Sequence, residues 1–283
     1  MALVQDRWHG DCDAQQESLA QGARLAAGLG AELICLAELT LSPYFATTAD
    51  GERAREWPPE PADTGPTFRF ASRLAVETGC HVQASLYEAA RDAGLGYNTA
   101  ICVAPDGQLV AATRKAHLPV TAGYYEDRYF RPGDSGTPVH RIGGVAVGFP
   151  TCWDQWFPEL ARLYALAAAE LLVFPTAIGS EPDHPGFDTA PLWETAMRGH
   201  AITNGLFIAA VNRIGTEDGI TFYGSSFISD PYGRVLAQAG RAERAVVVAN
   251  IDPDQRRDWL ELFPFLTTRR PELYGPLAGA PAR

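Results

Sequence analysis

Apolar positions recur along the chain in two rhythms. Short, nearly unbroken apolar runs at 2–8, 32–37, 81–87, 97–104, 139–149, 171–174, 206–211, 221–229 and 245–251 read as strands buried on both faces. Between them lie stretches with three- and four-residue spacing, which predict helices. In 13–29 the residues Leu19, Ala23, Ala26 and Leu29 recur, and Gly28 and Gly30 mark the end. Further helices are expected at about 67–78, 157–169 and 190–204. Pro105-Asp-Gly107 joins 97–104 to a strand at 108–114 as a hairpin, and Pro231-Tyr-Gly233 turns into a strand at 234–237. Residues 40–64, 116–138 and 175–187 read as loops, and the last 30 residues as an extended tail with a short helical piece. Alternation of apolar strands with helices predicts a layered α/β fold. No linker, charge block or internal repeat divides residues 1–283, so a single domain is expected.

Composition narrows the partners. The 283 residues are 46% hydrophobic and 20% charged, ordinary for a soluble globular protein. A net charge of −11 argues against a nucleic-acid or anionic-membrane surface. The longest apolar stretch, 163–179, is broken by Glu170 and Pro175 and is too short and mixed for a membrane span. The chain opens on a strand rather than a basic region and apolar segment, so no signal peptide is expected. Cys12, Cys35, Cys80, Cys102 and Cys152 form an odd set without paired spacing, which fits a reducing cytoplasm. No C-x-x-C or H-E-x-x-H occurs, and Gly28-Leu-Gly30 and Gly94-Leu-Gly96 lack a third glycine. Neither a metal nor a cofactor is therefore expected. A serine hydrolase is disfavoured because G-x-S-x-G is missing.

Three strand ends carry candidate chemistry. The run Val145–Phe149 stops at Pro150, and Cys152 follows in a sharp strand-to-helix turn beside the N–H groups of a helix start. Such a place favours a thiolate and a developing oxyanion, although an inert core cysteine satisfies the same segment. Leu33-Ile-Cys-Leu-Ala ends in Glu38, a base or a loop carboxylate. The strand at 108–114 runs into Lys115, a catalytic cation or a solvated strand-end charge, and His117 two residues on reads as structural.

In that order and those contexts, Glu38, Lys115 and Cys152 resemble the Glu-Lys-Cys triad of the nitrilase superfamily of carbon–nitrogen hydrolases. The resemblance runs over nearly the whole chain. It is sharpest at Cys152-Trp-Asp-Gln-Trp-Phe-Pro-Glu159, Pro175-Thr-Ala-Ile-Gly-Ser-Glu-Pro182, Tyr223-Gly-Ser-Ser-Phe-Ile228 and Arg269-Arg-Pro-Glu-Leu-Tyr274, which look most like the N-carbamoylputrescine amidase branch. It implies a four-layer α-β-β-α sandwich, assembled as a homodimer or higher homo-oligomer with the tail at about 253–283 in the contacts. Cys152 would be the nucleophile, Glu38 the general base and then acid, and Lys115 the cation on the oxyanion, with the Trp153 N–H as a second donor. Glu126, in Tyr124-Tyr-Glu126-Asp-Arg-Tyr-Phe130, would hydrogen-bond Lys115 and position the amide.

The implied activity is hydrolysis of a linear amide or N-carbamoyl amine with release of ammonia through a thioester-like intermediate. N-carbamoylputrescine, giving putrescine for polyamine biosynthesis, is the leading substrate. A general aliphatic amidase or another N-carbamoyl hydrolase is the alternative within the family, and a non-catalytic binding module is the alternative outside it. Glu181 is expected to pair with a distal ammonium or, with Asp183, to be a solvated loop charge. Trp153 and Trp156 are candidates for an apolar wall, and Tyr44 and Ala177 complete the expected substrate contacts. The chain departs from the branch at Phe149-Pro-Thr151, Val120-Thr-Ala122 and Trp259–Phe265.

Overall fold

The structure, a computed structural model, describes residues 1–92 and 94–279; the end of the expected tail, 280–283, lies outside them. In chain order the first half forms β1 (Ala2–Gln5), α1 (Cys12–Gly28), β2 (Leu33–Leu36), α2 (Pro66–Thr78), β3 (His81–Glu88), β4 (Tyr97–Val103), β5 (Leu109–Arg114), β6 (Val120–Thr121), β7 (Tyr124–Tyr125), β8 (His140–Ile142) and β9 (Val145–Gly148). The second half forms α3 (Pro158–Leu166), β10 (Leu171–Pro175), α4 (Ala190–Asn204), β11 (Phe207–Val211), β12 (Ile214–Glu217), β13 (Ile220–Tyr223), β14 (Phe227–Ser229), β15 (Val235–Gln238), β16 (Ala245–Val248) and α5 (Asp254–Leu262).

Two six-stranded sheets result, ordered β16-β1-β2-β3-β4-β5 and β15-β14-β11-β10-β9-β8. Successive side chains of a strand point to opposite faces, and here both faces are apolar. Leu3, Cys35, Val173 and Phe207 meet between the sheets. Their neighbours Val4 and Ile34 pack under α1 and α2, while Leu172 and Phe174 pack under α3 and α4. The four layers are thus helix, sheet, sheet, helix. β1, β2 and β3 run parallel, as do β9, β10 and β11. Loops leaving the C-terminal ends of parallel strands are where open α/β sheets place ligands, and β2, β9 and β10 lead to Glu38, Cys152 and Ala177.

Two apolar runs are divided where the sequence predicts single strands. Gly143 and Gly144, at φ 56° and 88°, fold 139–149 into the β8–β9 hairpin. Gly224 and Ser225, at φ 53° and 56°, separate β13 from β14 in 221–229. Residues 116–138 hold the two-residue strands β6 and β7 and a 3-10 turn at Glu126–Arg128. In the tail, α5 has no buried residue but is anchored by Trp259 Nε1 donating to Ile202 O at 3.0 Å and Arg256 Nε to Ala169 O at 3.0 Å. No helix among the described residues is long and apolar enough to cross a membrane.

Candidate active site

Lys115 leaves β5 into the interior rather than into solvent. Its backbone N–H donates to Asn98 O at 2.8 Å, continuing the strand pairing by one residue and turning the side chain inward. The ammonium donates to Glu38 Oε1 at 2.8 Å and to both oxygens of Glu126 at 2.8 Å. Each carboxylate has a second donor: Asn98 Nδ2 at 2.7 Å from Glu38 Oε1, and the Tyr44 hydroxyl at 2.9 Å from Glu126 Oε1. Glu38 Oε2 is buried and makes no hydrogen bond among the described residues. Three charges this deep are tolerable only because they are paired. Burial works against the Lys115 ammonium, but Glu126 and Glu38 outweigh it and hold the lysine protonated beyond its ordinary range. Burial also pushes Glu126 up, to about 7, against the pull of Lys115.

Cys152 comes from the facing sheet. β9 ends before Phe149-Pro150, and the cysteine opens a 3-10 turn, Cys152–Trp156, that leads to Pro158 at the start of α3. It sits at φ 35°, a left-handed conformation unusual for a non-glycine residue. Asp154 fixes this turn: Oδ2 accepts from Thr151 N at 3.0 Å and Ala116 N at 3.4 Å, and Oδ1 accepts from His117 N at 2.9 Å. One carboxylate therefore ties the cysteine turn to the segment just past Lys115. His117 Nδ1 also lies 2.8 Å from Asp154 Oδ1, and its ring stacks on Phe157 at 3.6 Å, the structural role expected of it.

The surrounding fold works against the thiolate that the local sequence favours. Burial first, then the charges of Glu38 and Glu126, push the Cys152 thiol well up, and Lys115 and the Ala177 backbone only partly offset them. The turn supplies helix-start N–H groups, but the surrounding fold removes the water a thiolate needs.

Cys152 opens onto a cavity of about 300 Å³. Tyr44, Glu126, Trp153, Trp156, Ala177 and Glu181, all marked by the sequence, line it. Glu38 and Lys115 stand behind that lining. Pro119, Thr121, Tyr124 and Ile178 also line it and were not anticipated. The Tyr124 hydroxyl accepts from Gly179 N at 3.2 Å and donates to Ser180 O at 3.2 Å, holding the loop that carries Glu181. Asn212 grips the same loop, with Nδ2 donating to Ile178 O at 2.9 Å and Oδ1 accepting from Ile178 N at 3.0 Å. Partial burial raises the Glu181 carboxyl, whereas Asp183 is exposed and lies outside the lining. Among the described residues no cluster of His, Cys, Asp and Glu is placed to hold a metal ion.

Asn98 and Asp154 went unassigned from the sequence, though each left a trace. Asn98 is an amide in an apolar strand, and Asp154 stands three residues after Thr151, the spacing of a helix-start cap.

The carbon–nitrogen hydrolase family model matches residues 1–261. The chain is 40% identical over 259 residues to an N-carbamoylputrescine amidase of Solanum lycopersicum, covering 89% of this chain and 85% of that protein. It is 40% identical over 256 residues to a citrullinase of Francisella tularensis, covering 88% and 87%. The crystal structure of a carbon–nitrogen hydrolase from Helicobacter pylori G27 superposes with a TM-score of 0.87 at 33% identity, covering 98% and 97%. The layered sheets are the α-β-β-α sandwich of the nitrilase superfamily, and with the match across both of them the chain belongs to the carbon–nitrogen hydrolase family.

Proposed function

We propose that this protein is a thiol amidohydrolase acting on N-carbamoyl amines, with N-carbamoylputrescine as substrate. The observation that carries the reading is the Lys115 ammonium held between Glu38 and Glu126 behind a cavity walled by Cys152, with Glu181 as a further acid in the wall. Burial raises the Cys152 thiol above its ordinary range, so its deprotonation accompanies attack. Glu38 takes the Cys152 proton as sulfur bonds to the carbamoyl carbon, and the carbonyl π pair moves to oxygen. Lys115 and the Trp153 N–H stabilise that oxyanion. The oxyanion collapses, the bond to the terminal nitrogen breaks, and Glu38 returns the proton so that ammonia leaves. Glu38 then takes a proton from water as the water oxygen bonds to the carbonyl carbon of the alkylcarbamoyl thioester, and returns it to the Cys152 sulfur as the carbon–sulfur bond breaks. The carbamic acid released breaks down to the amine and carbon dioxide.

Both named relatives act on compounds with an N-carbamoyl nitrogen and a distal charged end. Putrescine ends in an ammonium alone, whereas citrulline adds a carboxylate. Among the described residues the lining contains Glu181 and no lysine or arginine, so it supports a cationic end and leaves a carboxylate unpaired. Trp153, Trp156 and Ile178 supply apolar surface for the methylenes between. An ammonia-release assay with N-carbamoylputrescine, citrulline and butyramide tests this. N-carbamoylputrescine should give the highest kcat/KM; a clear preference for citrulline would overturn the substrate reading, and no release from any would overturn the reaction.

Homo-oligomerisation through α3, α4 and α5 accompanies the proposal, supported by exposed Leu163, Leu166, Leu192, Ile202 and Leu262 on those helices and Phe263 just past α5. The five cysteines are all free, in keeping with a reducing cytoplasm.

A further inference from the structure

Arg213 and Glu217 line no part of the cavity and take no part in the steps above, yet among the described residues they are the most completely buried arginine–carboxylate pair, 4% and 7% exposed. Arg213 Nη1 donates to both oxygens of Glu217, at 2.9 and 2.8 Å. Its other terminal nitrogen, Nη2, reaches a different segment and donates to Glu38 O at 2.8 Å, Leu39 O at 3.0 Å and Ser42 O at 3.1 Å. Glu217 Oε2 accepts the Tyr44 N–H at 2.6 Å. A single ion pair from the β12 segment thus grips the loop 38–44 at three carbonyls and one amide.

That loop needs gripping. Leu39 has φ 50°, in the left-handed region, where a leucine stays only if its surroundings impose it. From the other side its N–H donates to Ser85 Oγ at 3.1 Å. The two ends of the gripped loop are functional. Glu38 opens it, and Tyr44 closes it with a hydroxyl on Glu126. Both carboxylates facing Lys115 therefore take their places from the same pair, Glu38 through its own carbonyl and Glu126 through Tyr44.

We propose that Arg213 and Glu217 are positioning residues that jointly set the two carboxylates on either side of the Lys115 ammonium. The planar guanidinium is required, because one ammonium cannot face a carboxylate and three carbonyls in different directions. Removing the pair leaves the carbonyls of Glu38 and Leu39 without their buried donor, and the strained turn after Glu38 is free to relax.

The inference rests on Glu38 being the base, and the test separates the two. Arg213→Lys, Glu217→Gln, their combination and Glu38→Gln are compared by ammonia release and by the pH dependence of Cys152 alkylation with iodoacetamide, with thermal melting alongside. Arg213→Lys should lower kcat about tenfold to a hundredfold, the scale of a reacting group misplaced by an ångström. KM should stay near wild type, and the acid limb of the alkylation profile should move. Glu217→Gln should lose less, since its amide oxygen still accepts from Tyr44, and the double variant should be no worse than Arg213→Lys alone. Wild-type kcat and alkylation profiles in both single variants, with Glu38→Gln crippled, overturn the positioning role alone. Losses that follow only the unfolded fraction overturn it as well. A Glu38→Gln enzyme that works normally removes the base and the inference together. If Arg213→Lys does not fold, Glu217→Gln carries the decision.

Discussion

The floor of the cavity and its mouth are built by different rules. On the floor, Glu38, Lys115 and Glu126 are fully buried, and each side chain is fixed by at least two hydrogen bonds from separate elements. At the mouth, Trp153, Trp156 and Glu181 are partly exposed, and Val120, between the lining residues Pro119 and Thr121, is 65% exposed. The floor can be altered only at the expense of the fold's electrostatics, so the reaction it supports is hard to change. The mouth can change residue by residue, so the same sandwich can host different substrates without a new floor.

The largest expected effect is at the floor's open face. Cys152→Ala should abolish ammonia release while the melting temperature stays near wild type, because the sulfur serves chemistry more than packing; wild-type turnover by this variant would end the mechanism. Next come the groups behind it. Glu38→Gln and Lys115→Ala should each cut kcat by about 10²–10⁴-fold. Lys115→Ala should also cost about 3–5 kcal/mol of stability, since it leaves two buried carboxylates unpaired. A Lys115→Ala enzyme with unchanged melting and near-normal kcat would erase the distinction between floor and mouth.

Glu181→Gln acts at the mouth and should be selective. It should reduce kcat/KM for N-carbamoylputrescine at least about tenfold, the lower end for a charge pair broken on one side, and leave butyramide nearly untouched. Equal effects on both substrates would remove Glu181 from recognition without touching the triad. A subtler signature is the pH dependence of stability. Glu126 binds its proton more tightly folded, at about 7, than at the ordinary value of 4.5. Between those values the native state holds a proton the unfolded chain has lost, so this contribution is greatest at low pH and declines as pH rises to about 7. Glu126→Gln should flatten that slope in a melting series, and a slope equal to wild type would show that Glu126 does not titrate there. Smallest of all, Asp183→Asn should change kcat/KM for N-carbamoylputrescine by no more than about twofold, as for an ordinary surface site; a tenfold loss would extend recognition beyond the cavity wall.

Legibility in the sequence follows the same division as the molecule. Strands with both faces buried announce themselves as apolar runs, and a Glu, a Lys and a Cys at the ends of such runs stand out because charge there is unexpected. The split of 139–149 hinged on Gly143-Gly144, whose left-handed turn an apolar run masks. Asn98 and Asp154 left only traces and Arg213 none, because they act on partners distant along the chain: Asn98 on Glu38, Asp154 on His117, Arg213 on Glu38 and Ser42. The pressure against a Cys152 thiolate stayed out of sight for a related reason. Helix-start N–H groups are local and visible in sequence, whereas the burial that overrides them comes from the whole fold.

Asp154 carries a mechanical consequence. Packed layers in proteins commonly slide past one another by small amounts. The cysteine and the lysine hang from different sheets, so such sliding would by itself vary the gap between sulfur and ammonium. Asp154, rooted in the cysteine's turn, is bonded to the amides of Ala116 and His117 just beyond the lysine. Shear between the sheets must stretch those bonds before it moves the reacting atoms apart. The carboxylate works as a rivet across the seam, coupling the cysteine's turn to the lysine's strand end.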